Sequence, residues 1–282
     1  MRIKKIIILI IGCVAAAAVR ADDGSNSVSL SEVPAVVQKA IHSQVGDGKL
    51  ESLDKTVDGG EITYDVETTA KDGQERDFTL DEDGTLVSME VALSETPAAV
   101  QKTINTSVAS GKKLESIDKI FDDSNITYHV EITTKDGQER DFTLDEDGTL
   151  VSMKVALSEM PVAVQKTINS QLGEGKLKSV NKIYDADGTT YDVEMMTNKG
   201  REKDFTVATD GTLVRLQVTL EETTPAVRKT IKERIGDGKI LRIDKSFVEQ
   251  NGVLPYEVQG RKEGKPFDFS VGPNGRFRGM DN

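Results

Sequence analysis

The chain has 282 residues, 37% of them hydrophobic and 30% charged, with 36 basic against 48 acidic side chains, two histidines, one cysteine and no tryptophan. A net charge of −12 disfavours binding to DNA, RNA or anionic lipid, which attract the opposite sign. A single cysteine, Cys13, excludes a disulfide framework.

The first element is a secretory signal. Arg2, Lys4 and Lys5 precede an apolar run from Ile6 to Val19, and the small residue Ala21 comes before Asp22 and Asp23. That run is shorter than the roughly 20 residues a membrane span needs, so no transmembrane segment is expected once the signal is removed. Lipidation at Cys13, after Ile10, Ile11 and Gly12, is the lesser alternative. Cleavage after Ala21 leaves 32 basic and 48 acidic residues, a net charge of −16. The excess is uneven: residues 221–282 carry 12 basic and 10 acidic side chains, so residues 22–220 hold −18.

Beyond a short leader at 22–29, the chain repeats itself. Tyr64, Tyr128, Tyr191 and Tyr256 recur every 63 to 65 residues, and Phe78, Phe142, Phe205 and Phe269 keep the same interval, as do Gly84, Gly148, Gly211 and Gly275. The predicted boundaries are 30–92, 93–156, 157–219 and 220–282. Each repeat opens near a proline with aliphatic residues at i, i+4 and i+8: Val37, Ile41 and Val45; Val100, Ile104 and Val108; Val164, Ile168 and Leu172; Val227, Ile231 and Ile235. That spacing predicts one buried face of a helix about three turns long. Gly46, Gly111, Gly173 and Gly236 supply the stop.

A short strand follows around Leu53, Ile117, Val180 and Ile243. The second strand alternates clearly: Ile126, Tyr128, Val130 and Ile132 inward, with Thr127, His129 and Glu131 outward. A third strand carries Phe142 and Leu144, and a fourth Val151, Met153 and Val155. The predicted fold class is α+β, four tandem units of one helix packed on a four-stranded antiparallel sheet. Joints of a few residues predict a semi-rigid array. A unit of this size is marginal alone, so neighbouring units are expected to pack together.

Thr96-Pro97-Ala98-Ala99-Val100-Gln101-Lys102-Thr103-Ile104, Tyr128-His129-Val130-Glu131-Ile132, Asp141-Phe142 and Asp147-Gly148 together resemble the PepSY-like, beta-lactamase-inhibitor-like family, and the resemblance runs through all four repeats. It implies an extracytoplasmic bacterial protein of tandem helix-and-sheet modules. The neighbouring PepSY group includes inhibitory propeptides of thermolysin-like metallopeptidases, which implies binding or inhibition. Inhibition of a beta-lactamase itself is disfavoured, because such surfaces anchor on Trp, Tyr and Arg while this chain has no Trp and 13 aromatics, mostly in phase with buried aliphatics.

Two acidic features are candidate sites. The turns Asp81-Glu82-Asp83-Gly84, Asp145-Glu146-Asp147-Gly148 and Asp185-Ala186-Asp187-Gly188 resemble calcium loops, but strands flank them and the closing acid Glu90 becomes Lys154, so they are read as hairpin turns and no metal site is assigned. The outer sheet face presents Asp65, Glu67 and Asp77, then His129, Glu131 and Asp141, then Asp192, Glu194 and Asp204, an acidic strip suited to cations or a basic partner. The plainer reading is a solvated face with Lys55, Lys119, Lys182 and Lys245 as cross-strand partners. His42 and His129 sit at different points of different repeats, and no nucleophile, metal cluster or cofactor cradle accompanies them, so no catalytic residue, metal or cofactor is assigned. The expected function is non-enzymatic binding of an envelope or secreted protein. The alternative is a cation-responsive acidic spacer.

Overall fold

The computed structural model describes residues 26–58, 61–108, 111–122, 125–249, 252–262 and 265–279. The signal segment, Cys13 and the start of the leader lie outside them. The described residues contain four helices: α1 Ala35–Val45, α2 Ala98–Val108, α3 Val162–Leu172 and α4 Pro225–Ile235. The strands are β1 Asn26–Ser27, β2 Lys49–Asp58, β3 Glu61–Thr69, β4 Glu75–Asp81, β5 Leu86–Glu90, β6 Lys113–Asp122, β7 Asn125–Thr133, β8 Glu139–Asp145, β9 Leu150–Lys154, β10 Lys176–Asp185, β11 Gly188–Met196, β12 Glu202–Ala208, β13 Leu213–Gln217, β14 Lys239–Ser246, β15 Tyr256–Lys262, β16 Lys265–Val271 and β17 Phe277–Gly279.

A helix on antiparallel strands is thus the local pattern, as the periodicities predict. The aliphatic stripe is buried: Val100 and Ile104 of α2 pack on Ile117, Tyr128, Val130, Ile132, Phe142 and Leu144. Equivalent clusters form around Val37 and Ile41, around Val164 and Ile168, and around Val227, Ile231 and Ile235. The recurring Tyr and Phe therefore belong to the cores; Tyr64, Tyr128, Tyr191 and Tyr256 are 2–4% exposed. Gly46, Gly173 and Gly236 follow their helices at φ of 52° to 59°, where a side chain is disfavoured.

Short 3-10 turns ahead of each helix, Leu30–Glu32, Leu93–Glu95, Leu157–Glu159 and Leu220–Glu222, were not visible in the periodicity. Their glutamates accept hydrogen bonds from the backbone N–H groups of Ser29, Ala92, Ala156 and Thr219 at 2.7–2.8 Å. Glu95 and Glu159 also pair with Arg76 and Arg140, at 3.2 and 2.9 Å, which ties the helix entry to the third strand.

The largest departure from independent meanders lies at the joints. β5 pairs with β6, β9 with β10 and β13 with β14, so the strands form one 17-stranded antiparallel sheet with the four helices on one face. Val91, Val155 and Val218 pack into the core of the repeat that follows them, not their own. Val151, expected to alternate with Met153, is the extra residue of a bulge between the pairs Leu144↔Leu150 and Thr143↔Ser152. The sheet also coils: Arg261 on β15 forms an ion pair with Glu82 in the turn after β4.

Candidate functional site

Strand alternation sends Tyr64 and Val66 under the helix and Asp65 and Glu67 to the opposite, helix-free face. The register then sets their neighbours. Glu67 stands opposite Asp77, Glu131 opposite Asp141, and Glu194 opposite Asp204. All nine predicted residues share this face, but in three groups along the sheet, each with a different local chemistry.

In the first three repeats the residue at the centre of the second strand is held by a threonine of the third. Thr79 donates to Asp65 at 2.8 Å and Thr56 donates to the other oxygen at 3.1 Å; Thr206 donates to Asp192 at 2.6 Å. His129 takes that place in the second repeat, with Thr143 Oγ1 at 3.4 Å from its Nδ1 and Glu131 at 3.9 Å from Nε2. Burial holds the imidazole below its ordinary range despite the pull of Asp141 and Asp118, so the Glu131 contact is not an ion pair at neutral pH. These threonines escaped the sequence reading, although Asp-Phe-Thr recurs at 77–79, 141–143 and 204–206 and parity places Asp and Thr on one face.

The lysines assigned as partners are on the wrong side. Lys55, Lys119, Lys182 and Lys245 stand opposite Tyr64, Tyr128, Tyr191 and Tyr256, on the helix-bearing face. Lys119, Lys182 and Lys245 lie over the rings of Phe121, Tyr184 and Phe247 at 5.0, 4.7 and 4.8 Å. The reason is parity: Lys55 follows Leu53 by two residues, and a strand returns to the same face every second residue.

Charge compensation comes instead from the joints, and it differs at each. At the third, Arg242 bridges Asp204 at 2.6 Å and Asp244 at 2.7 Å, while Arg215 lies 3.7 Å from Asp244. Burial alone would lower the Arg242 pKa, but attraction to Asp244 and Asp204 more than offsets it and keeps the guanidinium charged. At the second joint, Lys154 donates to Asp141 at 2.8 Å. At the first joint, the corresponding place holds Glu90, one residue beyond the pair Phe78↔Met89 and therefore beside Asp77. Glu90 in turn stands opposite Asp118, and Asp118 opposite His129. Glu67, Asp77, Glu90 and Asp118 thus run as neighbours across β3, β4, β5 and β6. Partial burial, then the surrounding carboxylates, push the Asp77 and Glu90 carboxyls above their usual range.

The acidic turns are occupied with their own backbone. Asp81 Oδ1 accepts from the N–H groups of Asp83 and Thr85 at 2.9 and 2.8 Å, and Asp145 does the same for Asp147 and Thr149 at 3.2 and 3.0 Å. Among the described residues, no group of three or more His, Cys, Asp or Glu is arranged to hold a metal ion, and no helix is long and apolar enough to cross a membrane.

The family described as "Putative beta-lactamase-inhibitor-like, PepSY-like" matches residues 21–88 and 63–152. No curated protein matches the chain. Similar solved structures include a protein of Bacteroides vulgatus described as a "putative periplasmic protein" of the DUF2874 family, 16% identical, covering 47% of this chain and 98% of its own with a TM-score of 0.29. Another is a "putative calcium-regulated periplasmic protein" of Bacteroides thetaiotaomicron, 17% identical, covering 46% and 97% with a TM-score of 0.31. A DUF2874 protein of Bacteroides ovatus is 12% identical, covering 47% and 93% with a TM-score of 0.34. The paired match across residues 21–152, a little under half of the chain, makes that part similar to the PepSY-like family.

Proposed function

We propose that the chain is a non-enzymatic extracytoplasmic binding array. In this reading four copies of a unit, each one helix on four antiparallel strands, join edge to edge, and the helix-free face engages a positively charged segment of an envelope or secreted protein, a peptidase included. The observation that carries the reading is the row Glu67, Asp77, Glu90 and Asp118, carboxylates brought together across one continuous sheet. Adjacent strands sit about 4.8 Å apart, so a basic segment lying across them meets one carboxylate after another. Complementary charge of this kind steers encounter and sets orientation. The other two joints carry Lys154 and Arg242 at this face, whereas the first carries Glu90 at the position of Lys154. The extracytoplasmic location is supported by the signal pattern of residues 1–21 and by the family.

The test is capture from an envelope extract by the immobilised chain, starting at Asp22, at physiological salt. We expect a saturable protein partner that a variant with Glu67→Gln, Asp77→Asn and Glu90→Gln no longer retains. No saturable partner, or equal retention by the variant, counts against the reading, and turnover in a hydrolase panel would overturn its non-enzymatic part. A cation-responsive spacer is the second reading, favoured by the raised Asp77 and Glu90 carboxyls; a melting midpoint that rises with calcium and returns with chelator would support it.

A further inference from the structure

β13 is shorter than the strands on either side of it. Its pairing with β12 starts at Phe205↔Leu216, and its pairing with β14 stops at Gln217↔Asp244. Val218 N–H makes one last bond, to Ile243 O at 2.9 Å, and Val218 and Leu220 then turn into the fourth core. Beyond that point residues 202–203 of β12 and 239–242 of β14 have no strand between them. Strands two places apart are separated by roughly 10 Å, the width that one extended chain fills. Gln217 stands in for part of such a chain, because its side-chain oxygen accepts the Asp204 N–H at 3.2 Å.

A cleft of about 190 Å³ opens there. Ordinary small-molecule pockets begin near roughly 300 Å³, so this one suits a single residue of a longer ligand. Three substitutions set it apart from the earlier joints. Lys203 takes the place of Arg76 and Arg140; Arg140 clasps Glu159 through two bonds of 2.9 and 3.0 Å, whereas Lys203 reaches Glu222 through one of 3.4 Å. Arg201 takes the place of Gln74 and Gln138, and its guanidinium makes no ion pair among the described residues. Leu241 takes the place of Glu51, Glu115 and Lys178, so the β14 wall, with Ile240 beside it, is apolar. The two acids at the cleft are already matched, Glu202 with Lys178 and Glu222 with Lys203, which leaves the positive charge of Arg201 in excess.

We propose that this cleft binds the carboxyl-terminal residue of an extended peptide. The carboxylate lies between Arg201 and Lys203, an aliphatic side chain rests on Ile240 and Leu241, and the peptide backbone pairs with the open edges of β12 and β14. The charge preference is the reverse of that at the first joint. It agrees with the uneven distribution along the chain, since residues 221–282 carry 12 basic and 10 acidic side chains.

The test is calorimetric titration of the chain from Asp22 with N-acetyl-Ala-Ala-Leu as the free acid, with its carboxamide, and with inorganic phosphate. Saturable binding of the free acid is expected, with the carboxamide roughly tenfold weaker or worse for want of the charged hydrogen bonds. Amide NMR shifts should gather at Glu202, Leu241 and Arg242. Arg201→Gln and Leu241→Glu, each restoring a residue type of the earlier repeats, should weaken the free acid to a similar degree and leave the melting midpoint unchanged. Arg201 is exposed, so Arg201→Gln decides the matter alone if Leu241→Glu unfolds. The variant with Glu67→Gln, Asp77→Asn and Glu90→Gln should bind the peptide as the parent does, which separates this site from the acidic row. No saturable binding, equal binding of the carboxamide, shifts gathered elsewhere, or a folded Arg201→Gln that binds as the parent does overturns the proposal. Phosphate that displaces the peptide at equal concentration overturns it too, since the cleft is then a plain anion site.

Discussion

Replacing Arg242 by the serine found at the same place in the earlier repeats, Ser116 and Ser179, removes the cation that links β12 to β14. Two charge-assisted hydrogen bonds go with it, to Asp204 at 2.6 Å and Asp244 at 2.7 Å. The carboxylate left behind cannot turn to water, since the Asp244 side chain is 7% exposed. Breaking a buried pair by deleting one partner costs about 3–5 kcal/mol. Arg215 remains 3.7 Å from Asp244, so the lower end, about 3 kcal/mol, is expected for Arg242→Ser. Urea unfolding at neutral pH measures it. Adding Asp244→Asn, which restores the residue type of Asn181, is expected to recover part of the loss by removing the stranded charge. A loss below about 1 kcal/mol, typical of a surface pair, would refute the reasoning, as would a double variant no better than the single one.

Glu90→Lys introduces the cation that Lys154 supplies at the second joint, and is expected to stabilise by about 0.5–1 kcal/mol at pH 7 in urea unfolding. The raised Asp77 and Glu90 carboxyls favour the protonated folded state, so their penalty is present at neutral pH and is relieved as pH falls through the raised values toward the ordinary 3.8 and 4.5; the advantage of Glu90→Lys should shrink over that window. Gly148→Ala places a side chain at φ 79° with its Cβ 2.7 Å from the carbonyl oxygen of Ala99, and should lower the melting midpoint through a loss of about 1–3 kcal/mol. Arg261→Glu turns the contact with Glu82 into repulsion, and small-angle scattering should show a larger radius of gyration, an increase that added salt diminishes.

Much of the local architecture was legible in the residues because it rests on short-range periodicity. Val100 and Ile104 lie on one helix face through 3.6-residue turns, and Tyr128, Val130 and Ile132 lie on one strand face through a period of two. The same parity put Glu131 and Asp141 on the wet side. It also contained the answer for Lys55, which shares a face with Leu53 and so points away from the carboxylates.

What no single stretch of chain contained was the identity of the neighbours. Glu90, Lys154 and Gln217 read as scattered substitutions until β5, β9 and β13 are seen to pair with β6, β10 and β14. The sequence by itself determined four helix-and-strand patterns with an acidic outer surface, since propensity, alternation and turn chemistry act over a few residues. Only the tertiary structure decided that the strands merge into one sheet, with Glu90 at the first joint, Lys154 at the second and Arg242 bridging the third. Backbone hydrogen bonding between strand edges carries no side-chain signature, and a carboxylate's environment depends on residues that reach it only through those bonds.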